Sequence, residues 1–476
     1  MRSELIAVMN FVSKNDRLVI FYCLLEGINM IKRKIWRELA NYRNKVSNSA
    51  LLLTGARQVG KTFIVREFAR RHYKCFIEIN FIKSPEAKLL FDNLKDEKDF
   101  FLRLSSFSDM ELVPDDTLVF FDEVQECPES VTYIKFLVDD GRYQYVLSGS
   151  LLGVELKDLR SAPVGYLREL DMYPLDFEEF VDACGLKAEI FGHVKECWEK
   201  RESVNCVVHE KLMELLKLYL VIGGMPAAVQ KYIDTNNISA VVAEQRAILR
   251  EYRKDASKYD KANKLKIERV LDLIPEELRK ENKRFFISDL QKGGRFERFE
   301  DNFVWLEKAG IGLVANSASD PRVPLRLSRE SSFFKLYMND VGLLSAMYGD
   351  GIQLKILSGE IGINYGAVYE NFVAQELHAH GFPLYYFSSR KVGEIDFLVE
   401  HDGCVEPVEV KSGRHYKSHP ALANLIGNAE YGVKHAVVLS NANYSKDEKI
   451  EYLPIYFSMF LQRDNLPEEL IYKIPI

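Results

Sequence analysis

One octapeptide, GARQVGKT at residues 55–62, constrains the fold of this chain more than any other feature. It follows the apolar run ALLLT and precedes KTFIVREFARRH, whose apolar spacing is helical. A GxxxxGK(S/T) pattern between a strand and a helix is typical of a phosphate-binding loop, because its glycines let backbone N–H groups surround a phosphate. The pattern predicts an α/β fold with a parallel sheet. The predicted nucleotide contacts are Gly55, Ala56, Arg57, Gln58, Val59, Gly60, Lys61, Thr62 and Phe63.

The loop and one downstream strand together predict the cofactors. Lys61 would supply positive charge to the β- and γ-phosphates of ATP, and the Thr62 hydroxyl would coordinate Mg²⁺. The apolar strand TLVFF at residues 117–121 ends in Asp122 and Glu123. An aspartate at the end of a parallel strand can hold the metal, and the glutamate after it can orient and deprotonate the attacking water. We therefore predict ATP and Mg²⁺ as cofactors and Glu123 as the catalytic base.

Two further features are weaker guides to the site. The strand at residues 143–147 ends in Ser148-Gly149-Ser150, so either serine is a candidate sensor of the γ-phosphate, although the same hydroxyls also suit an ordinary turn. Arg160 and Arg168 are candidates, by position only, for an arginine that stabilises the transition state. Most surface arginines are simply solvated, so the sequence does not choose between them.

The composition is that of a folded soluble protein with several domains, since 476 residues exceed a single ordinary core. The formal net charge of -6 argues against a wholly basic nucleic-acid coat protein. The seven cysteines lack any CxxC pair, which suggests a reducing, cytoplasmic location. The apolar run at residues 18–25 is shorter than a membrane span of about 20 residues, so no membrane association is expected.

Changes in residue pattern predict five segments along the chain. They are an N-terminal extension (1–30, with Met30 a second candidate start), a P-loop sheet domain (31–185), a helical lid (186–260), a winged-helix-like domain (261–350) and a C-terminal α/β domain (351–476). The presumed recognition helix at residues 296–308 is rich in acidic side chains. An interdomain adaptor therefore suits this segment as well as a DNA clamp does.

The segment GEIDFLVEHDGCVEPVEVK predicts a β-hairpin whose turn is its Asp-Gly pair. This register places Asp396 opposite Glu409 and Glu394 opposite Lys411, on one face. Facing carboxylates repel unless a cation or a proton occupies the site. The pattern predicts a Mg²⁺ site with ligands from Asp396, Glu409, the Val410 carbonyl and Glu370, and with Lys411 orienting water or neutralising phosphate. An ExK pattern also occurs freely in strands, and Pro407 could introduce a bulge that shifts the register.

Several motifs, in a fixed order, resemble one protein family. GARQVGKT, LVFFDE, LSGSLLG, MYPLDFEEF, GGMP and SFFKLYMNDVGLL are similar to motifs of the prokaryotic AAA+ ATPases that carry an uncharacterised C-terminal domain. The resemblance runs from about residue 31 to near residue 460 and implies a C-terminal domain similar to the PD-(D/E)xK nuclease fold.

The resemblance also implies residue roles. Lys61 and Thr62 would bind nucleotide, Asp122 and Glu123 would form the Walker B pair, and Ser148 or Ser150 would be the first sensor. Many relatives carry an arginine just before the YPL segment, whereas here Gly165 is followed by Tyr166. The resemblance therefore does not identify the arginine finger.

These features favour an AAA+ P-loop ATPase whose ATP cycle drives or gates a nuclease-like C-terminal domain. Two alternatives stay open: a nucleotide-gated binding or regulatory module with little turnover, and a metal-dependent DNA nuclease regulated by ATP. The candidate macromolecular partners are DNA, another protein and a second copy of the chain.

Overall fold

The computed structural model describes residues 30–44, 48–107, 111–149, 165–259, 264–360, 366–464 and 471. The described chain divides into two compact units. Unit 1 contains Ile35–Thr54 and Gly60–Met172, and unit 2 contains Ile31–Lys34, Gly55–Val59 and Tyr173–Ile476. The predicted N-terminal extension lies outside the described residues, except for Met30.

Unit 1 is built on a five-stranded sheet in which every pairing is parallel, with strand order β2-β3-β4-β1-β5. Strand β3, which lies between β2 and β4, is buried along its whole length, as expected for a parallel sheet covered on both faces. This sheet confirms the predicted α/β fold. The strands are β1 (Ala50–Thr54), β2 (Cys75–Asn80), β3 (Thr117–Asp122), β4 (Gln144–Ser148) and β5 (Leu167–Asp171), and the helices are α1 (Ile35–Asn44), α2 (Lys61–His72), α3 (Glu97–Phe107) and α4 (Pro128–Asp140).

From Phe177 onward, unit 2 is at first helical. The helices of this unit are α5 (Phe177–Ala183), α6 (Ala188–Lys200), α7 (Cys206–Ile222), α8 (Pro226–Thr235), α9 (Ile238–Tyr259), α10 (Lys264–Arg279), α11 (Ile287–Leu290), α12 (Glu300–Lys308), α13 (Val341–Met347), α14 (Ile352–Ser358), α15 (Gly366–Ala379) and α16 (Pro420–Gly427). Among the described helices, none alone is long and apolar enough to cross a membrane; α7 and α8 would reach that length and composition only as a pair bent by 119°.

The GGMP and MNDVGLL motifs meet inside unit 2. Asp340 accepts hydrogen bonds from Gly224 N at 2.5 Å and from Leu343 N at 2.8 Å, and it caps α13. A Cβ atom on Gly224 would clash with the Leu175 carbonyl, and one on Gly223 would clash with the Asp340 carboxylate. Burial raises the pKa of Asp340 to about 6. These motif residues therefore hold the helices of unit 2 together.

An eight-stranded mixed sheet forms the rest of unit 2, in the order β12-β13-β11-β10-β9-β8-β6-β7. Its strands are β6 (Gly312–Ala318), β7 (Arg329–Met338), β8 (Tyr385–Ser389), β9 (Gly393–His401), β10 (Cys404–Lys411), β11 (Ala436–Ser440), β12 (Ser445–Asp447) and β13 (Ile450–Pro454). Strands on both sides of the predicted boundary at residue 350 belong to this sheet, because β6 pairs with β8.

The predicted hairpin register is confirmed. Strands β9 and β10 pair from Cys404↔His401 to Val408↔Phe397, and no bulge occurs at Pro407. The two turn residues, Asp402 and Gly403, both have positive φ, as the tightest hairpin turns require.

Candidate functional site

The phosphate-binding loop has the backbone conformation that its glycines predict. Gly55 and Gly60 have φ of 122° and 97°, in the region that glycine adopts most readily, and Gln58 has φ of 64°. Gly60 lies at the start of α2, where its carbonyl accepts from Ile64 N at 3.0 Å. The first turn of a helix carries N–H groups without intrahelical acceptors and the positive end of the helix dipole. This end of α2 therefore suits a phosphate group.

Asp122 accepts three hydrogen bonds at the edge of the parallel sheet. Its Oδ2 accepts from Thr62 Oγ1 at 3.0 Å and from Asn80 Nδ2 at 2.8 Å, and its Oδ1 accepts from Ser148 Oγ at 2.5 Å. The carboxylate is almost fully buried, at 2% exposure. The first turn of α2 and the carboxyl ends of β2 and β4 thus bring Thr62, Asn80 and Ser148 together around the Asp122 carboxylate at the end of β3.

Glu123 follows Asp122 in a left-handed conformation, with φ of 58°. A non-glycine residue adopts this conformation at an energetic cost, and such residues cluster at functional sites. Gln125 Nε2 donates to Glu123 Oε2 at 2.6 Å. The predicted base is therefore held both by its backbone and by a neighbouring amide.

The other residues predicted for this site lie in different environments. Phe63 is 47% exposed on α2, whereas Lys61 is buried. Arg168 lies on β5, where it pairs with Glu38 at 3.2 Å and both side chains are partly exposed. Ser150 and Arg160 lie outside the described residues. The donor set fits the predicted metal, because hydroxyl and carboxylate oxygens such as those of Thr62 and Asp122 are the ligands that Mg²⁺ prefers.

The C-terminal sheet carries a second cluster of charges, buried within unit 2. It contains four carboxylates and three ammonium groups, those of Glu370, Glu394, Asp396, Glu409, Lys283, Lys335 and Lys411. Lys335 is fully buried on β7, with Nζ 2.8 Å from Glu394 and 3.9 Å from both Glu370 and Asp396. Lys283 pairs with Glu370, and Lys411 pairs with Glu409 at 2.8 Å. Lysine side chains therefore already provide part of the positive charge that the carboxylates need.

The pKa shifts in this cluster follow from burial and from neighbouring charges. Burial, and then the charge of Asp396, raise the pKa of Glu409 to about 8. Burial by itself would lower the pKa of Lys335, but the surrounding ionisable groups, Tyr337 and Glu370 first, outweigh burial and raise it. The ammonium of Lys335 is therefore charged at neutral pH.

The predicted metal ligands are only partly brought together. Asp396 Oδ2 accepts from Val410 N at 2.9 Å, and Glu409 Oε2 is buried without a hydrogen-bond partner among the described residues. Glu370 instead binds Lys283 and accepts from Tyr337 OH at 3.3 Å. Within the described ranges, Glu370, Asp396 and Glu409 do not place three carboxylate oxygens within 4.8 Å of one another. The pair most suited to a cation is thus Asp396 and Glu409.

Four residues that contribute to these two sites were not predicted from the sequence. Asn80 ends β2, a strand of alternating apolar and polar residues that pairs with β3. Its position at a strand end next to Asp122 could therefore have been recognised in the sequence. Gln125 lies two residues after the predicted base. Lys283 and Lys335 lie far from the hairpin in the sequence, and no local pattern connects them with it.

Comparisons with known families agree with the parallel sheet of unit 1. Residues 47–181 match a family model described as an AAA domain. Residues 213–354 and 365–457 match two models described as domains of unknown function, DUF8612 and DUF4143. Together with the geometry around Asp122, the first match supports an AAA-type P-loop domain at residues 47–181 that is suited to binding ATP.

The solved structures similar to this chain include three at low identity. A Walker-type ATPase of Pyrococcus abyssi has a TM-score of 0.40 and 14% identity, with coverage of 67% of this chain and 96% of that one. The ORC1 protein of Aeropyrum pernix in complex with DNA has a TM-score of 0.27 and 14% identity, with coverage of 68% and 91%. Drosophila ORC bound to DNA has a TM-score of 0.26 and 13% identity, with coverage of 68% and 93%. Curated protein sequences give no significant match.

Proposed function

We propose that this protein binds ATP with Mg²⁺ and hydrolyses it, and that the ATP cycle drives or gates its C-terminal region. One observation carries the proposal. Thr62, at the start of the helix after the phosphate loop, and Ser148, at the end of β4, both donate to the Asp122 carboxylate. The groups that would hold the metal and sense the γ-phosphate thus share one acceptor.

Each side chain then has a definite task. The N–H groups of the loop and the Lys61 ammonium bind and neutralise the β- and γ-phosphates. Mg²⁺, when held by Thr62 and Asp122, supplies further positive charge to the same phosphates. Glu123 orients the attacking water and accepts its proton. Ser148 senses the γ-phosphate through its bond to Asp122.

Steady-state ATP hydrolysis, measured with and without single- and double-stranded DNA, tests this proposal. Lys61→Ala and Glu123→Gln should each abolish turnover, and Glu123→Gln should still bind ATP. Glu126→Gln is the matched control, because Glu126 is an exposed glutamate three positions further on, 3.7 Å from Lys88. Stimulation by DNA would identify nucleic acid as a partner.

Two segments, residues 186–260 and 261–350, are proposed to transmit the nucleotide state. Residues 186–260 would act as a helical lid. Residues 261–350 would form the winged-helix-like domain, since α10, α11 and α12 are followed by β6 and β7 in the order typical of that motif. The acidic residues of α12 weaken direct DNA readout, so an adaptor suits this segment as well as a DNA clamp does.

A nucleotide-gated module with little turnover is a second candidate, favoured by the hydrogen bond from Gln125 to the predicted base. In this case ATP governs docking to DNA or to another protein. ATP binding without measurable hydrolysis, or slow hydrolysis that DNA does not change, would favour this candidate over the ATPase.

Metal-dependent cleavage of DNA by a nuclease-like domain at residues 351–476 is a third candidate. It is favoured by the unpartnered buried oxygen of Glu409, beside Asp396. Asp396, Glu409 and the Val410 carbonyl would hold Mg²⁺, and Lys411 would orient water or neutralise phosphate. Asp396→Asn should lose both plasmid cleavage and the binding of Mn²⁺ measured without nucleotide. The exposed control Asp447→Asn should keep both activities, and ATP hydrolysis should be unchanged in the two variants. Equal cleavage by both variants would exclude this site.

A further inference from the structure

The first half of the phosphate loop, residues 55–59, belongs to unit 2 and is held by side chains of the same unit. Arg33 Nη1 donates to the Val59 carbonyl at 3.1 Å. The hydroxyl of Tyr252, on α9, donates to the Arg57 carbonyl at 3.4 Å. Two carbonyl groups of the loop are therefore oriented by residues that lie far from it in the sequence.

Arg33 is itself fixed in place. Its Nη2 donates to the Tyr173 carbonyl at 2.7 Å, its Nε lies 3.0 Å from Glu179 Oε2, and its side chain is 8% exposed. The planar guanidinium thus bonds three acceptors at once, and a flexible ammonium cannot reproduce that geometry. Arg33 is a rigid link between the loop and α5.

Arg57, which the motif predicts as a nucleotide contact, also forms a second link. Its Nη1 lies 2.6 Å from Oδ1 of Asp255 on α9, and the Asp255 side chain is only 4% exposed. Tyr252, one turn earlier on α9, accepts from Asn339 Nδ2 at 3.3 Å. Gly310 also approaches the loop, since a Cβ atom there would lie 3.0 Å from Ala56 N. The Arg57 side chain is thus directed toward α9.

Peptide geometry connects these links to phosphate binding. In a trans peptide the carbonyl and the following N–H point in opposite directions. The bond from Tyr252 to the Arg57 carbonyl therefore turns Gln58 N–H away from α9, and the bond from Arg33 to the Val59 carbonyl turns Gly60 N–H away from Arg33. We propose that Arg33, through the Val59 carbonyl, and Asp255, through its ion pair with Arg57, are positioning residues that hold the loop with its N–H groups directed toward phosphate, and so couple ATP binding to the packing around α9.

This inference rests on the ATP site proposed above, and it makes the coupling reciprocal. If the packing around α9 makes ATP binding more favourable by some free energy, bound ATP must stabilise that packing by the same amount. ATP should therefore slow amide hydrogen exchange in α9, and loss of the Arg57–Asp255 ion pair should weaken this protection.

Titration of the full chain with a fluorescent ATP analogue, alongside steady-state hydrolysis, tests the inference. Arg33→Lys keeps the positive charge but cannot bond all three acceptors of the guanidinium at once. Asp255→Asn removes the ion pair with Arg57. Each should raise the dissociation constant about tenfold, while kcat at saturating ATP stays within about twofold. Asp272→Asn is the matched control, because it breaks the more exposed 2.6 Å pair between α10 and Arg253 of the same helix, α9.

The outcomes separate this inference from the proposed function. Failure of the unaltered chain to bind ATP would count against the proposed ATP site itself. Binding by the unaltered chain, with equal affinity in Arg33→Lys and Asp255→Asn, would overturn the inference. An equal loss in Asp272→Asn would overturn it too, because the effect would then be general. Melting temperatures without nucleotide verify folding, and if Arg33→Lys does not fold, the affinity and exchange data for Asp255→Asn decide.

Discussion

The Thr62 hydroxyl lies 3.0 Å from Oδ2 of Asp122, although the two residues are 60 positions apart in the chain. Strand β4 separates β1 from β3 in the sheet, so the loop after β1 and the end of β3 are not on adjacent strands. Ser148, at the end of β4, occupies the intervening position and donates to the other oxygen of Asp122. The first turn of α2 and the end of β4 therefore both contact the single carboxylate at the end of β3.

Asp122→Asn should reduce Mg²⁺-dependent ATP hydrolysis by at least about 100-fold. The substitution keeps the shape of the side chain but removes the charge that would hold the metal. The measurement is hydrolysis rate against Mg²⁺ concentration, with Asp140→Asn, which alters an ion pair with Arg142 at the end of α4, as control. An unchanged Mg²⁺ dependence in Asp122→Asn would remove this residue from the metal site.

Gln125→Ala should raise kcat about threefold and leave KM for ATP unchanged. The amide of Gln125 donates to Glu123 Oε2 at 2.6 Å, and a carboxylate oxygen engaged in this way is a poorer proton acceptor. Steady-state kinetics measures the effect, with the exposed Gln291→Ala as control. A fall in kcat would instead mean that Gln125 holds the base in its productive position.

Lys335→Met should destabilise the protein by about 3 kcal/mol, because it leaves buried carboxylates without their cation. Lys335 is fully buried, and its ammonium lies within 4 Å of Glu370, Glu394 and Asp396. Chemical denaturation without divalent cations gives the free energy of unfolding. The control Lys200→Met breaks an exposed pair with Glu196 and should change this energy by less than about 0.5 kcal/mol. Equal stability of the two variants would contradict the assigned charge balance.

His435→Gln should lower stability at pH 6 but not at pH 10. Hydrogen bonds to Glu406, at 2.7 Å, and then to Glu451 raise the pKa of His435 to about 9. The folded pKa lies above the unfolded one, so the stabilisation is complete below about pH 6.5 and is lost as the pH rises through about 9. With 35% of the side chain exposed, we expect about 1 kcal/mol at pH 6.

Denaturation at the two pH values measures this difference. His415→Gln, at an exposed position, is the matched control and should leave stability unchanged at both. A loss in His435→Gln that is the same at pH 6 and pH 10 would show that packing, not charge, is responsible.

Local features were predictable from the sequence. The β9–β10 register follows from one Asp-Gly turn and the alternation of side chains along each strand, so each strand position was determined once the turn was identified. The phosphate loop is likewise a continuous motif, and Asp122 was found because it ends a strongly apolar strand.

Contacts between distant segments were not predictable in this way. Lys335 reaches the acidic cluster from β7, and Arg33 reaches the phosphate loop from a segment that precedes α1. A lysine on a strand or an arginine before a helix has no local signature of burial, because its partners are set by tertiary packing. For the same reason, Arg57 was predicted as a nucleotide contact from its place in the motif, whereas its ion pair with Asp255 needed the folded chain.

The position of β6 between β7 and β8 bears on how this gene can have evolved. Recombination that joined foreign sequence at residue 350 would separate β6 and β7 from the strands they complete, and β8 would become an edge with unpaired backbone groups. Such hybrids would be prone to aggregation. We therefore expect the segments on either side of residue 350 to be inherited together, and natural gene fusions to occur outside residues 312–454.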